Sequence, residues 1–288
     1  MPPIRCYKLA AVIYRKTQIE ALNKRIKKRG MAKKDLIYSD QQSMFGSREI
    51  IGFGSDEFSI KELDRNKANK IIVENHYSKK FYNATYIHLG VYIKTELVGV
   101  LQFGYAMNPA SCGSVVEGTE LDQYLELNRM WLDDKAPRNS ESMAISYAVR
   151  YIRSKFPKIK WIQSFADERC GGFGIVYQGA NFEFYGEHTA TFWTLDNEVY
   201  HNSLMTRNPK LSKSAAFLQA NKERATSEEL RQFRYIYWID HKWKKKVLLK
   251  QKPYPKHYAE KPNNFEKVEA GGLFFNSFET ELSNEAGT

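Results

Sequence analysis

Apolar and polar residues alternate from Tyr124 to Leu132, with Leu125, Leu127, Arg129 and Trp131 on one side and Glu126, Asn128 and Met130 on the other, a period of two that predicts a β-strand. A polar loop holding one proline, Asp133 to Asn139, follows. The period then changes. Ile145, Val149, Ile152 and Phe156 recur at i, i+4, i+7 and i+11, one apolar face of a helix for which Ser140 is a good N-cap. Upstream, Glu57 to Ile60 reads as a first strand and Ile60 to Asn75 as a helix with Leu63, Lys67 and Ile71 in step, while Thr85 to Ile93 and Leu97 to Tyr105 form a hairpin through Lys94, Thr95 and Glu96. Downstream, the largely apolar run Ile159 to Ala166 predicts a strand in the middle of a sheet. Ile175 to Gln178 predicts a short helix, Phe182 to Tyr185, Thr189 to Leu195, Glu198 to His201 and Phe233 to Ile239 predict strands, and Asn208 to Arg224 is helical in part. Met1 to Arg29 becomes a basic helix with Ile19, Leu22 and Ile26 on one side, ended by Gly30. The residues from there to about position 50 read as a polar arm, and Lys261 to Thr288 as a loose tail. The expected fold class is α/β, a central mixed sheet flanked by helices. It divides into a basic N-terminal extension (1–50), a core (51–205) and a basic, aromatic C-terminal extension (206–288) with a strand to add to the core.

Composition sharpens this outline. With 42% hydrophobic and 14% aromatic residues in 288, the chain is globular and long enough to bury a sizeable core. No apolar run is long enough to span a bilayer, and the N-terminus lacks a signal-peptide core, which places the expected site of action in the cytoplasm. Cys6, Cys112 and Cys170 are too few and too scattered for a disulfide framework or a cysteine zinc site. The formal net charge of +11 gathers in two segments, Arg15 to Lys34 and Lys242 to Lys256. A basic run by itself is most simply a solvated surface. Here Trp238, Trp243 and Tyr254 lie in or beside the second run, and cations interleaved with aromatics suit nucleic acid.

Candidate chemistry collects at two places. At the start of the predicted helix, Arg138, Asn139, Ser140 and Ser142 combine a guanidinium, hydroxyls and open backbone N–H groups, which suit a phosphate, although serines there also serve as plain caps. Asp167 ends the apolar strand and is followed by Gly171, Gly172 and Gly174. That is where ligands of open α/β sheets bind, so Asp167 is a candidate general base; the alternative is a cap on the next turn. An enclosed Arg129 needs a carboxylate or phosphate partner. His76 is a candidate metal ligand, although no second histidine stands at ligand spacing and a lone histidine is usually structural.

The order of elements resembles the GNAT superfamily of N-acetyltransferases. Several motifs narrow the likeness: His76-Tyr77-Ser78-Lys79-Lys80, Gly99 to Gly104, Val116 to Thr119, Leu125 to Arg129, Pro137 to Ser142, Ile159 to Trp161 with Ser164 to Asp167, and Gly174 to Phe182 around Tyr177. In that order they resemble the phage Mom family of DNA adenine-modification proteins, over roughly residues 70 to 185. The resemblance implies a GNAT-like fold and transfer of a carbamoylmethyl group to the exocyclic amine of adenine in double-stranded DNA, shielding phage DNA from host restriction. It carries functional weight to His76, Tyr77, Arg129, Ser142, Asp167 and Tyr177, with Tyr177 a proton donor, a stacking residue or a core tyrosine. It raises an acyl-CoA-like donor and iron as cofactors. The helix start lacks the glycine-rich pyrophosphate signature of acetyltransferases and has Glu141 beside any phosphate, a departure from ordinary acetyl-coenzyme A binding. An N-acetyltransferase with another substrate, or a DNA-binding protein without a donor site, are the competing expectations. A flipped adenine would stack on Tyr77, Tyr82 or Phe173.

Overall fold

The alternating segments assemble into one ten-stranded sheet, whose order is β1-β2-β3-β4-β5-β6-β7-β10-β8-β9. The computed structural model describes residues 34–42, 47–170 and 172–255. The expected basic helix, the basic run before Lys34, Cys6, Gly171 and the tail from Lys261 lie outside the described residues. The strands are β1 (Asp35–Gln42), β2 (Arg48–Gly54), β3 (Phe58–Glu62), β4 (Thr85–Ile93), β5 (Glu96–Gly104), β6 (Tyr124–Leu132), β7 (Trp161–Asp167), β8 (Glu183–Leu195), β9 (Glu198–His201) and β10 (Thr226–Trp238). The longer helices are α1 (Arg65–Asn75), α2 (Ser140–Lys155), the five-residue α3 (Ile175–Gly179) and α4 (Lys213–Ala220). Every pairing is antiparallel except β6 with β7, which α2 joins as a parallel crossover. The fold is the expected mixed α/β sheet flanked by helices. No helix among the described residues is long and apolar enough to cross a membrane.

Four local expectations need correction. The polar arm before residue 50 contains β1 and the start of β2. These strands present few apolar groups because only Leu36, Ile50 and Phe53 turn toward the core. Helix α1 starts at Arg65, five residues later than its apolar spacing suggests, because β3 runs to Glu62 and the Asp64 carboxylate caps the N–H groups of Asn66 and Lys67 at 2.9 and 3.0 Å. The two strands read on either side of Gly186 are one strand, β8. Gly186 has a φ of +97°, and the register against β10 slips between Phe184 and Glu187, so the glycine marks a bulge and not a turn. Finally, β10 lies between β7 and β8, inside the sheet. Divisions at 50 and 205 therefore cut through one continuous sheet.

The main core lies between α2 and the sheet. Ala144, Ile145, Tyr147, Ala148, Val149, Tyr151 and Ile152 of α2 are buried against strands from Phe53 to Tyr235. Truncating Ile152, fully buried, to alanine should destabilise the protein by about 2–5 kcal/mol through lost burial and the cavity left behind. Urea denaturation followed by circular dichroism measures this; a loss well under 1 kcal/mol would mean α2 does not seal this core. On the opposite sheet face, Trp161, Tyr185, Ile236 and Trp238 form a second cluster, covered by Trp243, Val247 and Leu249 of the C-terminal strap.

Candidate functional site

The parallel ladder between β6 and β7 has three rungs: Tyr124 with Trp161, Leu125 with Ile162 and Glu126 with Gln163. Beyond them the strands part, and Ser164 Oγ donates to the Leu127 carbonyl across the widening gap at 3.1 Å. Strand β6 is bulged at the same place. Met130 and Arg129 oppose Leu101 and Gln102 of β5, but Leu127 opposes Phe103, which leaves Asn128 as the extra residue. The extra residue resets the alternation. Met130 joins Leu125 and Leu127 in the core on the α2 side, while Arg129 turns to the α1 side with Trp131 and Glu126. The alternation expected from a regular strand, with Arg129 and Trp131 beside Leu125 and Leu127 and Met130 opposite them, is thus wrong from Arg129 onward.

The α1 side of the opening collects ionisable groups. On β7, Ala166 packs in the α2-side core, so Gln163, Phe165 and Asp167 point the other way. Asp167 is buried, and Arg169 holds it: Nε lies 3.0 Å from both carboxylate oxygens, Nη2 donates to Oδ2, and the Arg169 backbone N–H donates to Oδ1 at 3.0 Å. The same guanidinium lies over the rings of Phe192, 3.9 Å from its centroid, and Tyr77, at 5.5 Å. Arg129 Nε donates to the Lys80 carbonyl at 3.2 Å and Nη1 to the Asn128 carbonyl at 2.7 Å, which ties the loop after α1 to the bulge. The protein partners of Arg129 are thus two backbone carbonyls, with Tyr82 6.0 Å away beside it, and no carboxylate pairs with it among the described residues.

His76 is buried at the end of α1, its ring centroid 4.2 Å from that of Tyr77 and tilted 35° to it. Its Nδ1 accepts the Ser78 backbone N–H at 3.1 Å, so the neutral ring carries its proton on Nε2. Burial, then the positive charges of Arg129, Arg169 and Lys79, lower its pKa to about 3. The sequence-level expectation of His76 as a metal ligand meets the wrong tautomer, since a ligating Nε2 must be unprotonated. In addition, no group of three His, Cys, Asp or Glu among the described residues could hold a metal ion. His201 on β9 repeats the arrangement, with the Ser203 N–H donating to Nδ1 at 3.1 Å, and its pKa is lowered by burial and then by Arg169 and His188. Because His76 stays neutral in the folded state well below the pKa of the unfolded chain, protons favour unfolding as pH falls from about 6.5 toward 3, and this contribution to stability is fully present only above that window. Unfolding free energy measured from pH 7 to 4 should therefore lose up to about 1.4 kcal/mol per pH unit from this group, and His76→Gln should flatten the slope. An unchanged slope would show that His76 is protonated in the native protein.

The α2 side is different in kind. The N-cap of α2 is Asn139 in the left-handed region, φ 70°, and no side chain caps the helix. Ser140, expected to be the cap, is buried and donates its hydroxyl to the Pro137 carbonyl at 2.6 Å. Of the expected phosphate cradle, Arg138 and Asn139 are exposed and Ser142 faces α3, where a Cβ at Gly179 would meet its hydroxyl at 2.6 Å. Tyr177 packs against Phe182 and Tyr235, and its hydroxyl reaches the Phe165 carbonyl on β7 at 3.5 Å. Phe173 packs edge-on against Phe233, within the core on this side. It is therefore not placed with Tyr77 and Tyr82.

The structure thus brings His76, Tyr77, Arg129 and Asp167 to one face of the opening and places Arg138, Asn139, Ser140, Ser142 and Tyr177 on the other. Sequence reasoning missed Glu126, Gln163, Arg169, Arg234 and His201. A signal existed for the last: His76-Tyr77-Ser78 and His201-Asn202-Ser203 share the His-x-Ser pattern.

Comparison with known proteins places this geometry. Methylcarbamoylase mom of Escherichia phage Mu is 48% identical over 211 residues, covering 72% of this chain and 88% of that protein. Among solved structures, an acetyltransferase of the GNAT family from Streptococcus pneumoniae overlaps 63% of this chain and 99% of its own at 9% identity and a TM-score of 0.36. A ribosomal-protein alanine acetyltransferase from Vibrio fischeri overlaps 67% and 98% at 10% identity and a TM-score of 0.40. The Mom protein family model matches residues 57–256, which include both faces of the opening and the strap, and the chain belongs to that family.

Proposed function

We propose that the protein is a transferase that converts adenine in double-stranded DNA to N6-carbamoylmethyladenine, in the cytoplasm of a phage-infected host, and so shields phage DNA from restriction. The 48% identity to a protein named methylcarbamoylase supports the reaction class. The structural observation that carries the reading is the gap between β6 and β7. It joins a face lined by imidazoles, arginines and Tyr77, suited to a flipped base, to the uncapped start of α2, suited to the anionic part of a donor. A coenzyme-like donor with an anionic handle is the class proposed, held by Arg138, Ser142 and the first-turn N–H groups. Because the product joins N6 through a methylene, that donor must carry a preformed carbamoylmethyl unit with its leaving group on the methylene, and not react as an acyl thioester at its carbonyl. Ser140 is left out because its hydroxyl is committed to Pro137. Iron is not part of the proposal, given the tautomer of His76.

Adenine N6 is a weak nucleophile because its lone pair is delocalised into the ring, so bond formation needs a base as well as a reactive donor. Arg169 and Arg129 place positive charge beside the base, and the neutral Nε2–H of His76 is a donor for a ring nitrogen. Tyr177, reaching the β7 edge from the donor side, is placed to hold a proton at the leaving group. Mass spectrometry of nucleosides from plasmid DNA of cells expressing the protein tests the reading. Carbamoylmethyladenine is the expected product; unmodified adenine would leave a DNA-binding protein without this chemistry. Flipping also predicts that 2-aminopurine at a modified site gains fluorescence on binding, and no rise at saturating protein would rule out extrusion.

A further inference from the structure

We infer that Glu126 and Asn128 form the subsite for the exocyclic amine, with Asn128 Oδ1 accepting one N6–H and the Glu126 carboxylate taking the other proton as the new carbon–nitrogen bond forms. This deepens the proposed function and rests on it. Asp167, the carboxylate that the sequence singled out, would have to leave a guanidinium that grips both of its oxygens before it could serve as a base. Glu168 and Glu183 are likewise paired, with Arg231 and Lys244. Glu126 differs. It sits on the last rung of the parallel ladder, on the face where the base would enter, and its hydrogen bonds come from two neutral amides: Asn128 Nδ2 to Oε1 at 3.1 Å and Gln163 Nε2 to Oε2 at 2.8 Å.

Those amides cannot turn over. Gln163 Oε1 accepts Arg234 Nη1 at 2.7 Å, and Asn128 Nδ2 also donates to the Tyr105 carbonyl at 3.0 Å, so both present N–H to the carboxylate. One consequence is visible at Asn128. Its Oδ1 is closed off from solvent and has no donor, and a buried acceptor left in that state costs free energy unless a ligand fills it. An aromatic amine has two N–H groups, which match an open carboxamide oxygen and a carboxylate side by side. Guanine O6 and thymine O4 would place an acceptor against both, so the pair also selects the amino base. In the step itself, N6 bonds to the methylene carbon of an activated carbamoylmethyl donor, the leaving group on that methylene departs with the electron pair of the bond it loses, and the N6 proton passes to Glu126.

Burial pushes the Glu126 pKa up to about 7, against the amide hydrogen bonds and the charges of Arg234 on β10 and Arg129 on β6; Tyr82 from the loop after α1 and Tyr124 of β6 also face it. It therefore becomes available as a base just as pH passes neutrality.

The test uses the full-length protein. Clarified lysate of expressing cells, as the source of donor, is buffered from pH 6 to 8.5 and given unmodified duplex, and modified adenine is counted by mass spectrometry. The wild-type rate should climb through pH 7. Glu126→Gln should fall by about 100-fold or more and lose that climb, while Glu126→Asp keeps the climb at a reduced rate. In parallel, fluorescence anisotropy compares a duplex carrying adenine at a modified site with one carrying purine, which lacks the amine. The wild type should prefer adenine by about 10-fold or more, and Asn128→Ala should erase the preference while still binding DNA. Near-wild-type modification by Glu126→Gln, or equal wild-type affinity for the two duplexes, overturns the assignment even though adenine is modified. Absence of modified adenine with the wild type overturns the proposed function, and this assignment with it.

Discussion

Arg169→Ala should cost the protein about 3–5 kcal/mol of stability and lower adenine modification by about 100-fold. The first number follows from Asp167, which is buried and receives all of its hydrogen bonds among the described residues from Arg169. Removing the guanidinium strands a charge in the interior. The second follows from Tyr77 and Phe192, both of which lie against that guanidinium and form one wall of the face where the base would enter. A wall that shifts by about an ångström loses the alignment that makes transfer fast. Asp167→Asn makes the comparison. It leaves Arg169 without its acid, but that guanidinium is partly exposed and can turn to water, so stability should fall by only about 1–2 kcal/mol. Modification should still drop, through a displaced Arg169 and not through loss of a proton acceptor. Thermal melting and nucleoside mass spectrometry on the two variants decide this. Wild-type stability in Arg169→Ala would show that the pair is not formed, and a rate loss in Asp167→Asn that alone removes the rise through pH 7 would return the base to Asp167.

The second large effect concerns DNA affinity. Replacing Lys242, Lys245 and Lys250 together by glutamine should reduce the slope of log K against log salt by about 2.7, the value for three lost phosphate contacts. These three lysines are exposed, whereas Lys244 pairs with Glu183 and Lys246 lies 4.1 Å over the Trp243 ring. The strap that carries them packs on the sheet face shared by Trp161, Gln163 and Asp167, at the Trp161 end of β7 and about 20 Å from the Asp167 end. A duplex lying along that face would meet the strap and the opening together. Deleting the whole run is a poorer experiment, since Trp243, Val247 and Leu249 cover the second core cluster and the Tyr254 hydroxyl donates to the Phe182 carbonyl at 2.7 Å. Loss of the strap would unfold what it covers. Anisotropy titrations at several salt concentrations measure the slope, and an unaltered slope would place the DNA elsewhere.

Much of the layout follows from local pattern in the chain. The hairpin run Thr85 to Ile93, the alternation in Tyr124 to Leu132, the apolar run Ile159 to Ala166 and the helical spacing after Ser140 depend on near neighbours, and the strands and helix stand at or near those positions. Composition likewise indicated a globular, basic chain, and the ordered motifs around His76, Arg129, Asp167 and Tyr177 indicated its family. Relations between distant segments were settled only by packing. One bulge at Asn128 moves Arg129 to the other face, and a period-two reading cannot anticipate an inserted residue. Strand β10 enters the sheet beside β7 from a stretch more than 60 residues later, bringing Arg234 to Gln163 and thereby fixing the donors at Glu126. The grip of Arg169 on Asp167, the neutral tautomer of His76 and the raised pKa of Glu126 depend on which charges and which solvent remain once the sheet has closed. Local periodicity and residue identity were enough to say which segments become strands and helices and which residue types are available for chemistry. Which carboxylate is committed to a salt bridge, and which is left for a proton, followed from the packed fold, because desolvation and pairing exist only after folding.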